Sequence, residues 1–242
     1  MGKVRIGTSG WAYKDWRGPF YPRTLRDEDR LAYLSRRFPT LEINASFYRL
    51  PSDRAVAAWR DQTPDDFIFA WKASRYITHN KKLTDPKDGL AHMFARTVGL
   101  GEKLGPVLFQ LPPGLRRDDA RLAAFLKALP DRGRFAFEFR RPDWHAPPVL
   151  ALLAEHGAAL CLSDHHDAPA PFEVTADFVY LRGHGPGGRY QGRYPQATLK
   201  DWAARIRRWR STHDVFIYFD NDIKSAAPAD ATRLTELLDR SE

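Results

Sequence analysis

Cysteine is nearly missing from this chain: Cys161 stands alone among 242 residues. A single thiol excludes an internal disulfide and any thiolate-rich zinc or iron-sulfur cluster, each of which needs partners. No uncharged run is long enough to span a bilayer. The opening residues, Met1-Gly2-Lys3-Val4-Arg5-Ile6, lack a signal-peptide apolar stretch and the Ser or Thr that a myristoylation signal needs at position 6. These absences predict a cytoplasmic protein with no membrane partner, and no obligate protein partner is evident. A GxSxG elbow, a P-loop and an HExxH helix are also absent, which argues against covalent serine chemistry, P-loop nucleotide hydrolysis and helix-borne zinc. No linker, low-complexity tract or internal repeat divides the chain, so one domain over residues 1–242 is expected.

Charge, by contrast, is plentiful and unbalanced. There are 38 basic against 30 acidic residues, a formal charge of +8. An excess of this sign favours encounter with polyanions or phosphorylated small molecules. The basic run Arg205, Arg207, Arg208 and Arg210 reads as the solvated outer face of a helix rather than a nucleic-acid stripe.

Short β-branched or aromatic runs recur at even spacing: Val4 to Ser9, Leu41 to Phe47, Phe67 to Lys72, Val107 to Leu111, Phe135 to Arg140, Ala159 to Asp164, Phe178 to Arg182 and Val215 to Asp220. Helical spacing lies between them, as in Leu122, Phe125, Leu126 and Leu129, stopped by Pro130. Leu199, Trp202, Ile206 and Trp209 form another such set, where Thr198 and Asp201 have capping-box spacing. The connection from His165 to Ala176 is short and carries Pro169 and Pro171, so the βα unit after strand 6 should lack a good helix. Eight strands alternating with helices predict an α/β fold, a single (β/α)8 TIM-type barrel.

In a barrel strand alternate side chains face the lumen. Phe135, Phe137 and Phe139 share one face and should meet helices, leaving Ala136, Glu138 and Arg140 inward. The same split turns Glu42, Asn44, Ser46, Lys72, Gln110, Arg182, Tyr218 and Asp220 inward, with Asp164 ending strand 6 beside Leu160 and Leu162, and puts Cys161 outward. The bottom ends of the strands read as apolar. Polar groups thus gather late in the strands, at the catalytic end of this architecture, where each buried ion costs several kcal/mol unless paired. The alternative is an ion-paired plug that only fills the barrel top.

Loops at the same end add Trp11 and Tyr13, then Gly183-His184-Gly185-Pro186-Gly187-Gly188-Arg189-Tyr190 with Arg193 and Tyr194, a Gly-rich stretch suited to an anion. A divalent metal held by Glu138, Asp164, His165, His166 and His184 can be drawn, but no established ligand spacing supports it, so the cofactor is left open.

The segments Ile6-Gly7-Thr8-Ser9-Gly10-Trp11, Phe20-Tyr21-Pro22, Glu42-Ile43-Asn44, Phe47-Tyr48, Phe109-Gln110-Leu111-Pro112-Pro113, Phe137-Glu138-Phe139-Arg140, Trp144, Tyr180-Leu181-Arg182-Gly183-His184-Gly185 and Tyr218-Phe219-Asp220-Asn221-Asp222 together resemble the YecE-like family, domain of unknown function 72, across nearly the whole chain. The resemblance implies a TIM-type barrel of unknown biochemical function, similar in architecture to xylose-isomerase and apurinic-endonuclease barrels. Where that family reads Phe-Asn-Asn, this chain has Phe219-Asp220-Asn221, which adds a carboxylate.

Three functions follow. The first is an enzyme acting on a phosphate-bearing substrate, an anionic small molecule or nucleic acid, by hydrolysis or acid/base chemistry. In it Glu138 is general base or metal ligand, His184 the acid, Arg140 and Arg182 the clamps, and Glu42, Lys72 and Asp164 complete the catalytic set. Trp11 and Tyr13 offer the stacking surface, and Asn44, Tyr48, Gln110, Trp144, Arg189, Tyr190, Tyr194, Tyr218, Asp220 and Asn221 complete the binding set. The second is a sugar or sugar-phosphate enzyme, and the third a non-catalytic anion- or partner-binding barrel.

Overall fold

The computed structural model describes residues 1–240. Eight parallel strands close into a barrel in sequence order: β1 (Val4–Ser9), β2 (Thr40–Ile43), β3 (Ile68–Lys72), β4 (Leu104–Gln110), β5 (Phe135–Glu138), β6 (Ala159–Ser163), β7 (Phe178–Gly183) and β8 (Asp214–Phe219). β1 pairs with both β2 and β8, which seals the ring and leaves no edge. The helices are α1 (Arg30–Ser35), α2 (Ala45–Tyr48), α3 (Asp53–Asp61), α4 (Pro86–Thr97), α5 (Asp119–Lys127), α6 (Pro147–Glu155), α7 (Gln196–Trp209) and α8 (Ala226–Asp239). No helix lies between β6 and β7, as the proline-rich connection predicts.

Local chemistry sets several boundaries. The Asp118 carboxylate accepts from Arg121 N at 2.9 Å and starts α5, and the Ser52 hydroxyl accepts from Ala55 N at 3.2 Å and starts α3. The capping box expected at Thr198 does not form. Helix α7 already begins at Gln196 behind Pro195, whose fixed φ suits a helix entry, so Thr198 lies inside the first turn. β2 is shorter than the sequence implies, because the chain turns at Asn44 into the single-turn α2, where the Ser46 hydroxyl bonds Ile43 O at 3.0 Å and Lys72 O at 2.7 Å.

The strand faces divide the interior in two. Phe69, Trp71, Phe109, Phe137, Leu181, Ile217 and Phe219 pack outward against the helices as part of one large cluster. Ala70, Leu108, Ala136, Cys161, Tyr180, Phe216 and Tyr218 fill the lumen as a second. The alternation read from sequence therefore holds for those strands, with a one-residue correction in β6. Cys161 faces the lumen, and Leu160 and Leu162 face the helices, so Ser163 rather than Asp164 points into the barrel. A run of apolar residues filling both faces, Ala159 to Leu162, carries no polar marker of parity; only pairing with β5 and β7 decides it.

The barrel floor is also not apolar. Arg5 of β1 sits level with Phe216, and Arg134, just before β5, bonds the Asp214 carboxylate at 2.7 Å. Both guanidinium groups lie over the Phe216 ring, at 5.4 and 5.7 Å from its centroid.

Candidate functional site

At the C-terminal end the strand register brings polar residues to one level: Ser9 beside Glu42, Gln110 beside Glu138, and Ser163 beside Arg182. Their side chains meet around Arg182, which is fully buried. Its Nη2 reaches Glu42 Oε1 and Asp220 Oδ2 at 2.8 Å each and the Ser9 hydroxyl at 3.1 Å, while Nη1 reaches Glu138 Oε2 at 2.8 Å. Three carboxylates surrounding one guanidinium leave excess negative charge, and Arg140 supplies the second cation, bonding Glu138 Oε1 at 2.7 Å. Such pairs repay their desolvation only when every lone pair is engaged. The carboxylates accept further from hydroxyls: Tyr180 donates to Glu42 at 2.6 Å, Ser163 to Glu138 at 3.1 Å, and Ser9 to Glu42, while the Nε atoms of Arg140 and Arg182 have no partner among the described residues.

This lower tier is closed, with Glu42, Glu138, Arg182 and His184 wholly buried. Burial opposes ionisation of Glu138, but Arg140, Arg182, His184 and Lys72 outweigh it and hold its pKa far below the usual carboxylate range. A carboxylate so tightly held is a fixed anion and a poor general base at neutral pH. His184 is equally enclosed. Its Nε2 faces the Arg140 and Arg182 guanidinium groups at 3.1 and 3.2 Å and Glu138 at 3.4 Å, and Asp164 lies 3.3 Å from its Nδ1. Guanidinium can only donate and carboxylate only accept, so the imidazole sits between charges of both signs.

An upper tier reaches solvent through Lys72, Gln110, Arg140, Asp220, Asn44 and Tyr190. Lys72 differs from every other cation of the ring. Among the described residues no carboxylate lies within salt-bridge distance of its amine, which instead sits 4.6 Å from the centre of the Phe47 ring. Burial, then the Arg182 charge, draws its pKa down to about 8, with Asp220, Glu42 and Glu138 pulling the other way. Phe47 also meets His79 edge-on at 5.0 Å, and burial beside Lys72 lowers the His79 pKa to about 4. Tyr190 adopts φ 65° and takes a 2.8 Å bond from Arg140 while packing edge-on against His184. Asn44 donates to the Ser9 hydroxyl at 2.9 Å, and Gln110 to Leu111 O at 3.2 Å.

Several residues expected at this site belong elsewhere. Trp144 is buried in the helical layer, stacked at 5.0 Å on Phe139 with its indole N–H on Leu115 O, because Phe139 faces outward. Tyr218 lies deeper in the lumen, its hydroxyl 2.8 Å from the Thr40 hydroxyl. Tyr194 and Asn221 brace the loop after β7. The Tyr194 hydroxyl donates to Asp164 and accepts from Gly185 N, and Asn221 Nδ2 donates to Gly192 O and Asp230 at 2.7 and 2.9 Å. Asp164 belongs to the same brace, accepting from His184 N at 2.7 Å. Tyr13 rests on Trp16 with its hydroxyl on Ser9 O, and Trp11 meets Trp59 edge-on, so neither ring is a free stacking face. Tyr48, by contrast, is 71% exposed.

The Gly-rich loop does not present an open anion cradle. Gly185, Gly188 and Tyr190 spend their N–H groups on Tyr194, Gly185 O and His184 O, and Arg189 is exposed. Its glycines serve close packing instead: a Cβ at Gly188, φ 67°, would come 2.3 Å from Asp164 O. The metal centre drawn from Glu138, Asp164 and His184 does not assemble. Among the described residues only His165, His166 and Asp167 bring ligand atoms together, and His166 is already engaged with Asp167 at 3.0 Å and Gly188 O at 3.2 Å.

Sequence reading missed Ser9 and Tyr180, whose inward parity was available but whose side chains carry no charge signal, and Ser163, which the misassigned parity of β6 turned outward. It also missed Asp222, half-buried beyond β8, whose pKa burial and then Asp220 push up to about 6.

The comparisons agree with the fold. UPF0759 protein YunF of Bacillus subtilis (strain 168) is 28% identical over 270 aligned positions, covering 98% of this chain and 95% of that protein. UPF0759 protein YecE of Escherichia coli (strain K12) is 29% identical over 144 positions, covering 59% of this chain and 50% of that protein. A solved DUF72 family protein from Thermotoga maritima MSB8 superposes with a TM-score of 0.89 at 26% identity, covering 98% of this chain and 99% of that one. SacUVDE shares the fold at a TM-score of 0.59 and 10% identity, each chain covered to 99%. The family described as "Protein of unknown function DUF72" matches residues 5–242, and this chain, with its eight-stranded barrel, belongs to it.

Proposed function

We propose that this chain is an enzyme that acts on a phosphate-bearing substrate, a nucleic-acid strand foremost, by acid/base chemistry at the C-terminal mouth. One observation carries the reading: Lys72 holds an amine in a buried position at the mouth with no ion-pair partner among the described residues, while the guanidinium groups of Arg140 and Arg182 are committed to carboxylates. A buried cation left unpaired costs stability, and a bound anion offsets that cost.

In this reading Lys72, cationic below about pH 8, receives the substrate anion and gives its proton to the leaving oxygen. Asp222, with a pKa near 6, accepts a proton from the water whose oxygen bonds to phosphorus as the bond from phosphorus to the leaving oxygen breaks. The base role first drawn for Glu138 passes to Asp222, because the pKa of a proton-transferring group must lie near the working pH, and the acid role first drawn for His184 passes to Lys72, because His184 is wholly enclosed. Arg182 and Glu138 become positioning residues that hold Ser9, Glu42 and His184 in place. Exposed Tyr48 and Tyr76, set among Arg49, Arg75 and Lys82 on the loops after β2 and β3, supply stacking and phosphate contacts of the kind single strands use.

The test is a short single-stranded oligonucleotide titrated at increasing salt, with turnover followed in parallel. Affinity is expected to fall steeply with salt, and Lys72→Met to abolish turnover while the fold survives. The expected pH profile of kcat/KM rises through about 6 and falls through about 8. Salt-independent binding, or full turnover by Lys72→Met, overturns the reading.

A further inference from the structure

We propose that the N-terminal end of the barrel carries a second binding site, for a small planar aromatic carboxylate. A cavity of about 420 Å³ opens there, lined among others by Arg5, Ile68, Phe94, Arg132, Arg134 and Phe216. That volume falls within the range of small-molecule sites, about 300–1,000 Å³.

Charge and shape define the occupant. Three guanidinium groups face the cavity, and the carboxylate that pairs with one of them is Asp214, bound to Arg134 at 2.7 Å. Asp214 is also spent on Lys3 N at 2.7 Å. Arg5 and Arg132 have no carboxylate within salt-bridge distance among the described residues. The β1 parity places Arg5 inward, beneath the lumen, so its guanidinium is a half-buried cation on a floor that an aliphatic residue would close at lower cost. Its fork is geometrically matched to a carboxylate.

The remaining walls are apolar: Ile68, Phe94, Leu104, Val107, Phe135 and Phe216, with Arg5 and Arg134 already lying over Phe216. A flat ring can lie against this apolar wall while its carboxylate meets Arg5 and Arg132. The adjoining bottom cavity, about 760 Å³, shares Arg5 and Ile68 but carries Asp65, Asp66, Glu102 and Asp239. Lys3, Arg37 and Arg210 line it too, so its charges are mixed, whereas no carboxylate is among the residues that line the first cavity.

The probe is 2-naphthoate, titrated by calorimetry into the full chain, with neutral 2-naphthamide and sulfate as controls. One-to-one saturable binding is expected, weaker by about tenfold or more for 2-naphthamide and in Arg5→Met, because a charge-assisted bond contributes roughly 1.5–3 kcal/mol. Arg132→Met, at an exposed position that places no demand on folding, should weaken binding in the same direction. Lys72→Met at the opposite end should leave it unchanged, which separates this site from the catalytic reading. Absence of saturable binding at millimolar naphthoate, equal affinity for the amide or for sulfate, or affinity indifferent to both arginine substitutions overturns the proposal.

Discussion

The two ends of this barrel treat arginine in opposite ways. At the top Arg182 is wholly enclosed and bonded to Glu42, Glu138 and Asp220, and Arg140 shares Glu138 with it. At the bottom Arg5 lies over a phenyl ring with no carboxylate in reach among the described residues, and Arg134 holds the local acid. The same side chain is a structural keystone where anions outnumber it and an available ligand-binding group where they do not. Ionisable residues in a lumen therefore do not mark chemistry by their presence; what matters is which of them remain unpaired. By that measure Lys72 at the top resembles Arg5 at the bottom more than it resembles its neighbour Arg182.

The contrast can be broken most sharply at Arg182. Arg182→Leu leaves three carboxylates buried around an apolar group, and a loss of about 3–5 kcal/mol or more is expected in urea denaturation. Arg5→Met should cost under about 1 kcal/mol, since no pair is broken. Equal losses at both positions erase the distinction between a locked end and an open one.

Lys72→Met tests whether the amine is held at a cost. Its folded pKa, near 8, lies below the ordinary lysine value of 10.5, so the unfolded chain binds more protons between the two and stability rises with pH across that window. Below pH 8 the penalty is fully present. Lys72→Met should accordingly gain up to about 3 kcal/mol at pH 7, with the gain shrinking to nothing near pH 11. A substitution that destabilises at pH 7 shows instead that Lys72 is a satisfied member of the ring.

The smallest expected effect concerns the loop brace. Tyr194→Phe removes the acceptor of Gly185 N and the donor to Asp164, and about 1–2 kcal/mol should be lost. Amide exchange should quicken from His184 to Tyr190 and stay unchanged in β2 and β3. Uniform acceleration across the barrel shows that the brace acts on global stability rather than on the loop.

Much of the fold was legible because strand alternation is a local signal. Phe135, Phe137 and Phe139 declare one face of β5, and the same logic turned Glu42, Lys72, Gln110, Glu138, Arg182 and Asp220 inward at the C-terminal end of the lumen. The proline-rich link after β6 likewise announced a missing helix. Parity failed at β6 because both of its faces are apolar, and Trp144 and Tyr194 were misplaced because loop aromatics carry no periodicity. Arg5 went unread because one arginine in a short strand is indistinguishable from a solvated end.

Outside β6, the sequence by itself determined which strand side chains alternate inward, since the backbone repeat of two is set by covalent geometry. Only the tertiary structure decided which charges are satisfied. Arg182 and Arg5 are chemically identical and both turn inward from their strands, at opposite ends of the barrel; their difference arises from the partners that barrel closure delivers to Arg182 from β2, β5 and the end of β8. Coulomb energies depend on distances between residues far apart in sequence, so the free cation and the bound one are told apart by closure of the ring.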